Sequence, residues 1–354
     1  MLLSYDTTMV YYVKLVITFK SSMRACVVGG GTGSSAVLNG LSNYADIDLS
    51  VIVGMADDGG SNAVLRDEFG LLPLSDVRKS IIALSDKEDS SLLRQLFTYR
   101  FCEGDGLRGH TLGNLMMTAM SRITGSESEA VDKMSSLFSA KGNIYPVTFE
   151  EHKLVANYDD GREVVGEHLI DEPDGDLNSK IISLKTDRVV KADQRAIEAI
   201  LSSDFVILGP GDIYTTTLAN IVIDGIPKAL QETNAKIFFV TNIMSKAGQT
   251  KHRTHKEVNE IVENFVGRKF DRIIMNSQSP SKEVLKYYRI NKEHLIKDDV
   301  HEDPRVIREH LISDTVFENE NGDDLVRSLV RHDSVKLGWT LYKTMKEMMI
   351  GSDN

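Results

Sequence analysis

Short apolar runs alternate with longer amphipathic stretches from about residue 23 onward. Arg24–Val28, Leu49–Val53, Phe205–Leu208, Lys236–Val240 and Arg272–Met275 read as buried strands, being short, continuous and mostly apolar. Helical periodicity covers residues 76–85, 90–99, 112–123 and 127–138, and Ala36, Val37, Leu38 and Leu41 give a further helix one apolar face. Repeating strand–helix units predict an α/β fold: a doubly wound, Rossmann-like, mostly parallel sheet with helices on both faces.

Residues 144–186 break the rhythm. Alternation through Ile144–Phe149, Leu154–Tyr158 and Glu163–Leu169, with the turn Asp159-Asp160-Gly161, predicts antiparallel hairpins. The segment reads as an inserted flap in a single domain spanning 23–346, with 347–354 as a tail. The acidic run Asp171–Asp176 reads as solvated surface. Met9–Phe19 is apolar apart from Lys14 and Thr18, far short of the roughly 20 residues a spanning helix needs. Residues 1–22 lack the features of a secretory signal, so Met23 is expected to be the true start, or 1–22 an extension.

The charge narrows the partners. The 354 residues carry a formal −11, with 52 acidic against 41 basic side chains, which disfavours nucleic acid as the main partner. A nucleotide or nucleotide-sugar remains compatible, because backbone amides can hold its phosphates. With two cysteines, and Cys26 inside a predicted strand, a disulfide framework is not expected and a reducing cytoplasm is. No membrane span is expected, and a homodimer is compatible with the chain.

The unusual residues fall at strand ends. The first strand runs into Gly29-Gly30-Gly31-Thr32-Gly33, where glycines and a helix start suit phosphate. The dinucleotide fingerprint would place glycine at 34, and Ser34 stands there, so an NAD-dependent oxidoreductase with Asp57 as its ribose acid is the weakest reading; NAD is not expected, nor is haem. The second strand ends in Asp57-Asp58-Gly59-Gly60-Ser61. Asp57 and Asp58 suit a magnesium ion, a ribose hydroxyl or a base toward an incoming alcohol; Asp58 and Ser61 also suit helix capping. Later strands lead into Gly209-Pro210-Gly211-Asp212-Ile213-Tyr214-Thr215 and Thr241-Asn242. Ligands in such sheets bind beyond the carboxyl ends of the strands, so one shared cleft is expected, with Tyr214 stacking on a base or bonding a phosphate.

Two further clusters are candidates. Ser75-Asp76-Val77-Arg78 begins a helix, where a cap and a surface arginine also account for Asp76 and Arg78. Gly109-His110-Thr111-Leu112-Gly113-Asn114 sets His110 and Asn114 among glycines before an apolar helix. No metal-ligand spacing accompanies His110, and no nucleophile elbow or Walker-type loop is present.

Taken in order, these motifs resemble the CofD/YvcK superfamily, which contains the 2-phospho-L-lactate transferases and the gluconeogenesis factors. The resemblance runs from about Met23 to about His332. Ala56-Asp57-Asp58-Gly59-Gly60-Ser61, Gln95–Phe101 and Gly109–Asn114 look like the gluconeogenesis-factor branch. The resemblance implies a cytoplasmic regulator of carbon-source adaptation and cell shape that binds a UDP-sugar such as UDP-N-acetylglucosamine. Tyr288 and Arg331-His332 match a tyrosine and an Arg-His pair used around that ligand. The transferase branch implies instead a GDP-type donor, magnesium, and Asp57 and Asp58 as catalytic carboxylates.

Several positions depart from the family pattern. Ser34 replaces a leucine, Leu74-Ser75 replace Pro-Gly, Lys79 replaces an asparagine, Asp212 a serine, and Lys246 and Gln249 a Gln and a Glu. Asp212 beside a phosphate turn repels an anion unless a cation intervenes. The expected arrangement has Gly30–Gly33 and Gly209–Thr215 holding a diphosphate across the switch point. Asn242 and Asn114 fix its orientation, and the 144–186 flap closes over it.

Overall fold

The computed structural model describes residues 22–85, 91–104, 106–173, 177–313 and 329–351. The expectation for 1–22 therefore lies, but for Ser22, outside the described residues.

The predicted apolar runs form strands because the covering helices leave no polar face for them to present. They are β1 (Met23–Gly29), β2 (Ile47–Val53), β7 (Phe205–Leu208), β8 (Lys236–Val240) and β9 (Arg272–Asn276). Two more strands complete a seven-stranded sheet: β3 (Asn143–Pro146) at one edge and β10 (Val306–Glu309) at the other. The order is β10-β9-β8-β7-β1-β2-β3, and every pairing is parallel. Cys26, Val27 and Val28 of β1 and Val206, Ile207 and Leu208 of β7 are fully buried at its centre.

A separate antiparallel sheet is built from β4 (Leu154–Tyr158), β5 (Glu163–Val165) and β6 (Ile181–Thr186), in the order β5-β4-β6. The predicted Asp159-Asp160-Gly161 turn joins its first two strands. Two details differ from expectation. Asn143–Pro146 pairs in parallel with β2, its apolar residues completing the main sheet and not the flap. Past β5 the chain turns into a helix, Glu167–Asp171, so the strand does not reach Leu169.

The helices Ser75–Leu84, Ser91–Thr98, Leu112–Thr124 and Glu127–Leu137 lie close to their predicted spans. The last helix, Ser334–Gly351, runs through most of the expected tail. It packs on the helix Gly31–Leu41 through a glycine pair: a Cβ on Gly40 would stand 2.2 Å from the Ser334 carbonyl oxygen and 2.8 Å from Gly338 Cα. Among the described residues no helix is long and apolar enough to cross a membrane.

Candidate functional site

From β1 the chain proceeds outward to β2 and β3, then returns to β7 on the other side of β1. Strand order reverses there, and the two glycine turns leave the carboxyl ends of these adjacent strands. They touch. A Cβ on Gly33 would lie 1.7 Å from the Pro210 carbonyl oxygen, so only glycine lets the backbones approach so closely. Gly31 opens its helix at φ +65°, the left-handed region. No backbone carbonyl among the described residues accepts from Thr32 or Gly33 N–H at this helix start.

Gly31 N–H is already engaged, donating to Asp76 Oδ2 at 2.9 Å. Burial alone would push the Asp76 carboxyl up. The Lys79 ammonium at 2.7 Å, the Gly31 N–H and Arg78 outweigh it and hold the group below the usual carboxylate range. Asp76 is thus a brace for the glycine loop, and no side chain caps its own helix.

Asp57 accepts three hydrogen bonds, from Gly59 N–H at 3.1 Å, Asn62 Nδ2 at 2.7 Å and Ser75 Oγ at 3.0 Å. Burial and then the Asp76 charge push its carboxyl up, against the Lys79 charge and these donors. Asp58 points elsewhere: its Oδ1 accepts the His168 N–H at 2.8 Å, tying the second strand's loop to the flap's short helix. Neither aspartate, nor Ser61, caps the helix Gly60–Phe69.

The turns open on a cleft of about 630 Å³. Of the predicted site residues it brings together Gly30, Gly31, Thr32, Gly33, Asp57, Asp76, Pro210, Gly211, Thr215, Asn242, Tyr288 and Arg331. Asp58, Ser61, Arg78, His110, Asn114, Gly209 and Tyr214 do not line it. Four of these form one buried chain behind it. His110 Nδ1 lies 2.7 Å from Ser61 Oγ, Asn114 Nδ2 donates to Ser61 Oγ at 3.2 Å, and Arg78 Nε donates to Asn114 Oδ1 at 2.9 Å. Arg78 is therefore inward, not a surface arginine, and Asn114 orients it instead of a ligand. Tyr214 is 2% exposed, and its hydroxyl donates to the Ile181 carbonyl at 3.3 Å, so it anchors the antiparallel sheet and has no free face for a base.

At the far end, Tyr288 is also buried, its hydroxyl accepting the Val330 N–H at 3.1 Å. It positions the segment carrying Arg331 and His332, while its neighbour Tyr287 is the more exposed ring on the cleft. His332 is buried, and the loss of solvation pulls its imidazole down to about 4 and leaves it neutral.

Sequence reasoning missed the groups the flap supplies. Glu167 and Asp171 line the cleft, so the acidic run begins inside it and not on solvated surface. Burial, then the charges of Asp57, Asp171, Asp58 and Asp76, push Glu167 well above the usual carboxylate range. Asp171 receives Thr215 Oγ1, Gln249 Nε2 and Lys246 Nζ, each at 3.1 Å. Lys246 also stands 3.6 Å from Asp212, so the cation demanded by that carboxylate is a lysine of the chain itself. The signal lay in the three departures at 212, 246 and 249, which fold into one cluster.

No group of three or more His, Cys, Asp or Glu among the described residues could share a metal ion. Asp57, its carboxyl raised by burial and the Asp76 charge, fits magnesium only as an ion completed by ligand phosphate oxygens.

The family described as 2-phospho-L-lactate transferase CofD matches residues 25–315. The chain belongs to the CofD family. It is 36% identical to a protein of Thermotoga maritima named "Putative gluconeogenesis factor", over 89% of this chain and 97% of that protein. An Aquifex aeolicus protein of the same name is also 36% identical, over 93% and 98% respectively. Among solved structures, a UPF0052 family member from Bacillus halodurans superposes with a TM-score of 0.81 at 30% identity, covering 91% of this chain and 99% of that one. This CofD-family chain is thus similar along nearly its whole length to gluconeogenesis factors.

Proposed function

We propose that this protein is a gluconeogenesis factor whose cleft binds a nucleotide-sugar diphosphate, UDP-N-acetylglucosamine foremost, and that it regulates carbon-source use and cell shape in the cytoplasm. The observation that carries this reading is the contact of two glycine turns at the sheet's switch point, with Thr32 and Gly33 N–H at the cleft wall meeting no backbone carbonyl among the described residues. An anion there meets a helix start and oriented amides. Arg331 at the far end offers a guanidinium to the second phosphate, and Tyr287 offers a ring to the base. Asp57 would hold a magnesium ion arriving with the diphosphate, offsetting its charge beside so many carboxylates.

Isothermal titration with UDP-N-acetylglucosamine, GDP and NADH, each with and without magnesium, tests this. Saturable binding of the UDP-sugar, stronger than that of the other two, is expected; binding of GDP alone refutes it. The raised Asp57 carboxyl in the cleft favours one second reading, a transferase in which Asp57 accepts the proton of an attacking hydroxyl. Phosphoryl-linked transfer from a GDP-type donor to a deazaflavin acceptor, lost in Asp57→Asn, would establish it.

A further inference from the structure

Three separate pieces of chain meet at Lys246. Asp171 comes from the flap helix, Asp212 from the turn after β7, and Lys246 from the loop after β8. The two carboxylates are not equivalent. Asp171 is satisfied on both oxygens by Thr215, Gln249 and Lys246. Among the described residues Asp212 has only the longer 3.6 Å contact with Lys246 as cationic support, and it faces Asp171 and Glu293 as further acidic groups. One ammonium therefore serves two carboxylates, and it lines the same cleft as the phosphate turns.

An incoming phosphate competes for that ammonium. When Lys246 turns toward an anion, Asp171 keeps two neutral donors while Asp212 keeps none among the described residues. Two carboxylates left side by side without their cation cannot both remain ionised cheaply; a proton on one lets it donate a hydrogen bond to the other.

We propose that Lys246 is the cation that receives the ligand's phosphate, and that Asp212 takes up one proton from solvent as it gives Lys246 up. Ligand binding at this cleft is then proton-coupled, a property that rests on the cleft being the diphosphate site. The proton comes from buffer, forms an O–H bond on Asp212, and is returned when the ligand leaves. Asp212 leans this way: partial desolvation lifts its carboxyl to about 7, with Lys246 opposing and Asp171 and Glu293 adding to the rise.

Titration calorimetry with UDP-N-acetylglucosamine, in buffers of different ionisation enthalpy at pH 7.5, reads the uptake directly. The ligand is a diphosphate diester and does not itself titrate near neutrality. About one proton per ligand is expected, with affinity falling about tenfold between pH 6.5 and 8.5. Asp212→Asn and Asp212→Ser should bind with a flat pH profile and no uptake, each tighter than wild type at pH 8.5. Lys246→Met should lose affinity and pH dependence together. Melting temperatures within a few degrees of wild type identify the variants that are folded. Binding without buffer-dependent heat overturns the proton coupling and leaves the diphosphate reading intact. Uptake that persists in both Asp212 variants assigns the proton elsewhere and also overturns the proposal. Absence of any binding overturns the diphosphate reading and this inference with it.

Discussion

Gly33→Ala tests whether the two turns act as one anion site. The added Cβ would stand 1.7 Å from the Pro210 carbonyl oxygen. Ordinary contact needs about 3.4 Å, so the turns must part by more than about 1.5 Å or distort. Overpacking of this kind costs about 1–3 kcal/mol of stability. Parting the turns also misplaces the Thr32 and Gly33 N–H donors; losing two charge-assisted bonds at about 1.5 kcal/mol each weakens binding roughly a hundredfold. Gly31→Ala is the control. Its Cβ would meet nothing within 4 Å, and the left-handed φ of +65° costs about 1–2 kcal/mol of stability alone. The two variants should melt similarly, yet only Gly33→Ala should lose UDP-N-acetylglucosamine binding by calorimetry. Wild-type affinity in a Gly33→Ala protein that has lost stability would refute the reasoning, since the turns would then part without consequence for the ligand.

Other outcomes follow from the buried titrating groups. Burial pushes the Cys26 thiol up to about 12 while Cys102 is exposed, so a disulfide reagent should label one thiol in the native protein and both in urea. Burial pulls His255 and His332 down to about 4. The unfolded chain binds protons below about 6.5 where the folded one resists, so stability should fall from pH 6.5 toward 4. The loss is roughly 2–3 kcal/mol for each histidine by pH 4.5, measured by urea denaturation, and His255→Gln should remove its share. An unchanged urea midpoint between pH 7 and 4.5 would show that these imidazoles protonate freely in the fold.

How much was legible depended on how local the physics was. Strands such as Phe205–Leu208 and Lys236–Val240 announce themselves because burial on both faces leaves no room for polar alternation. Asn143–Pro146 misled for the same reason in reverse. Edge strands resemble hairpin strands, and only the partner, β2, decides the sheet. The cleft's glycines and Asp57 were visible because backbone chemistry at a strand end is a local property. The Arg78–Asn114–Ser61–His110 chain reads in sequence like a ligand site, yet its polar atoms satisfy one another over separations of up to 53 residues. Gly113 shows why its glycines are needed: a Cβ there would lie 2.3 Å from the Phe97 carbonyl oxygen. Asp171 was illegible, because an acidic loop looks solvated until the fold supplies Thr215, Gln249 and Lys246 as donors.

On the proposed reading, this acidic cleft has to accept an anion. Seven carboxylates line it against two lysines and one arginine, a balance that would repel a diphosphate if every group were ionised and idle. They are not idle. Asp76 is spent on Lys79 and Gly31, and Asp171 on the clasp to Lys246, while burial raises Asp57, Glu167, Asp212 and Glu293 toward their neutral forms. In that reading, such a site resists a diphosphate while Asp212 is ionised and accepts it as a proton on Asp212 or a magnesium ion offsets the charge. Asp171, on the flap helix, keeps Thr215 and Gln249 as donors through the exchange, so the flap stays tied to the sheet while Lys246 moves. On the proposed reading, ligand and proton are thus linked through a single ammonium, that of Lys246.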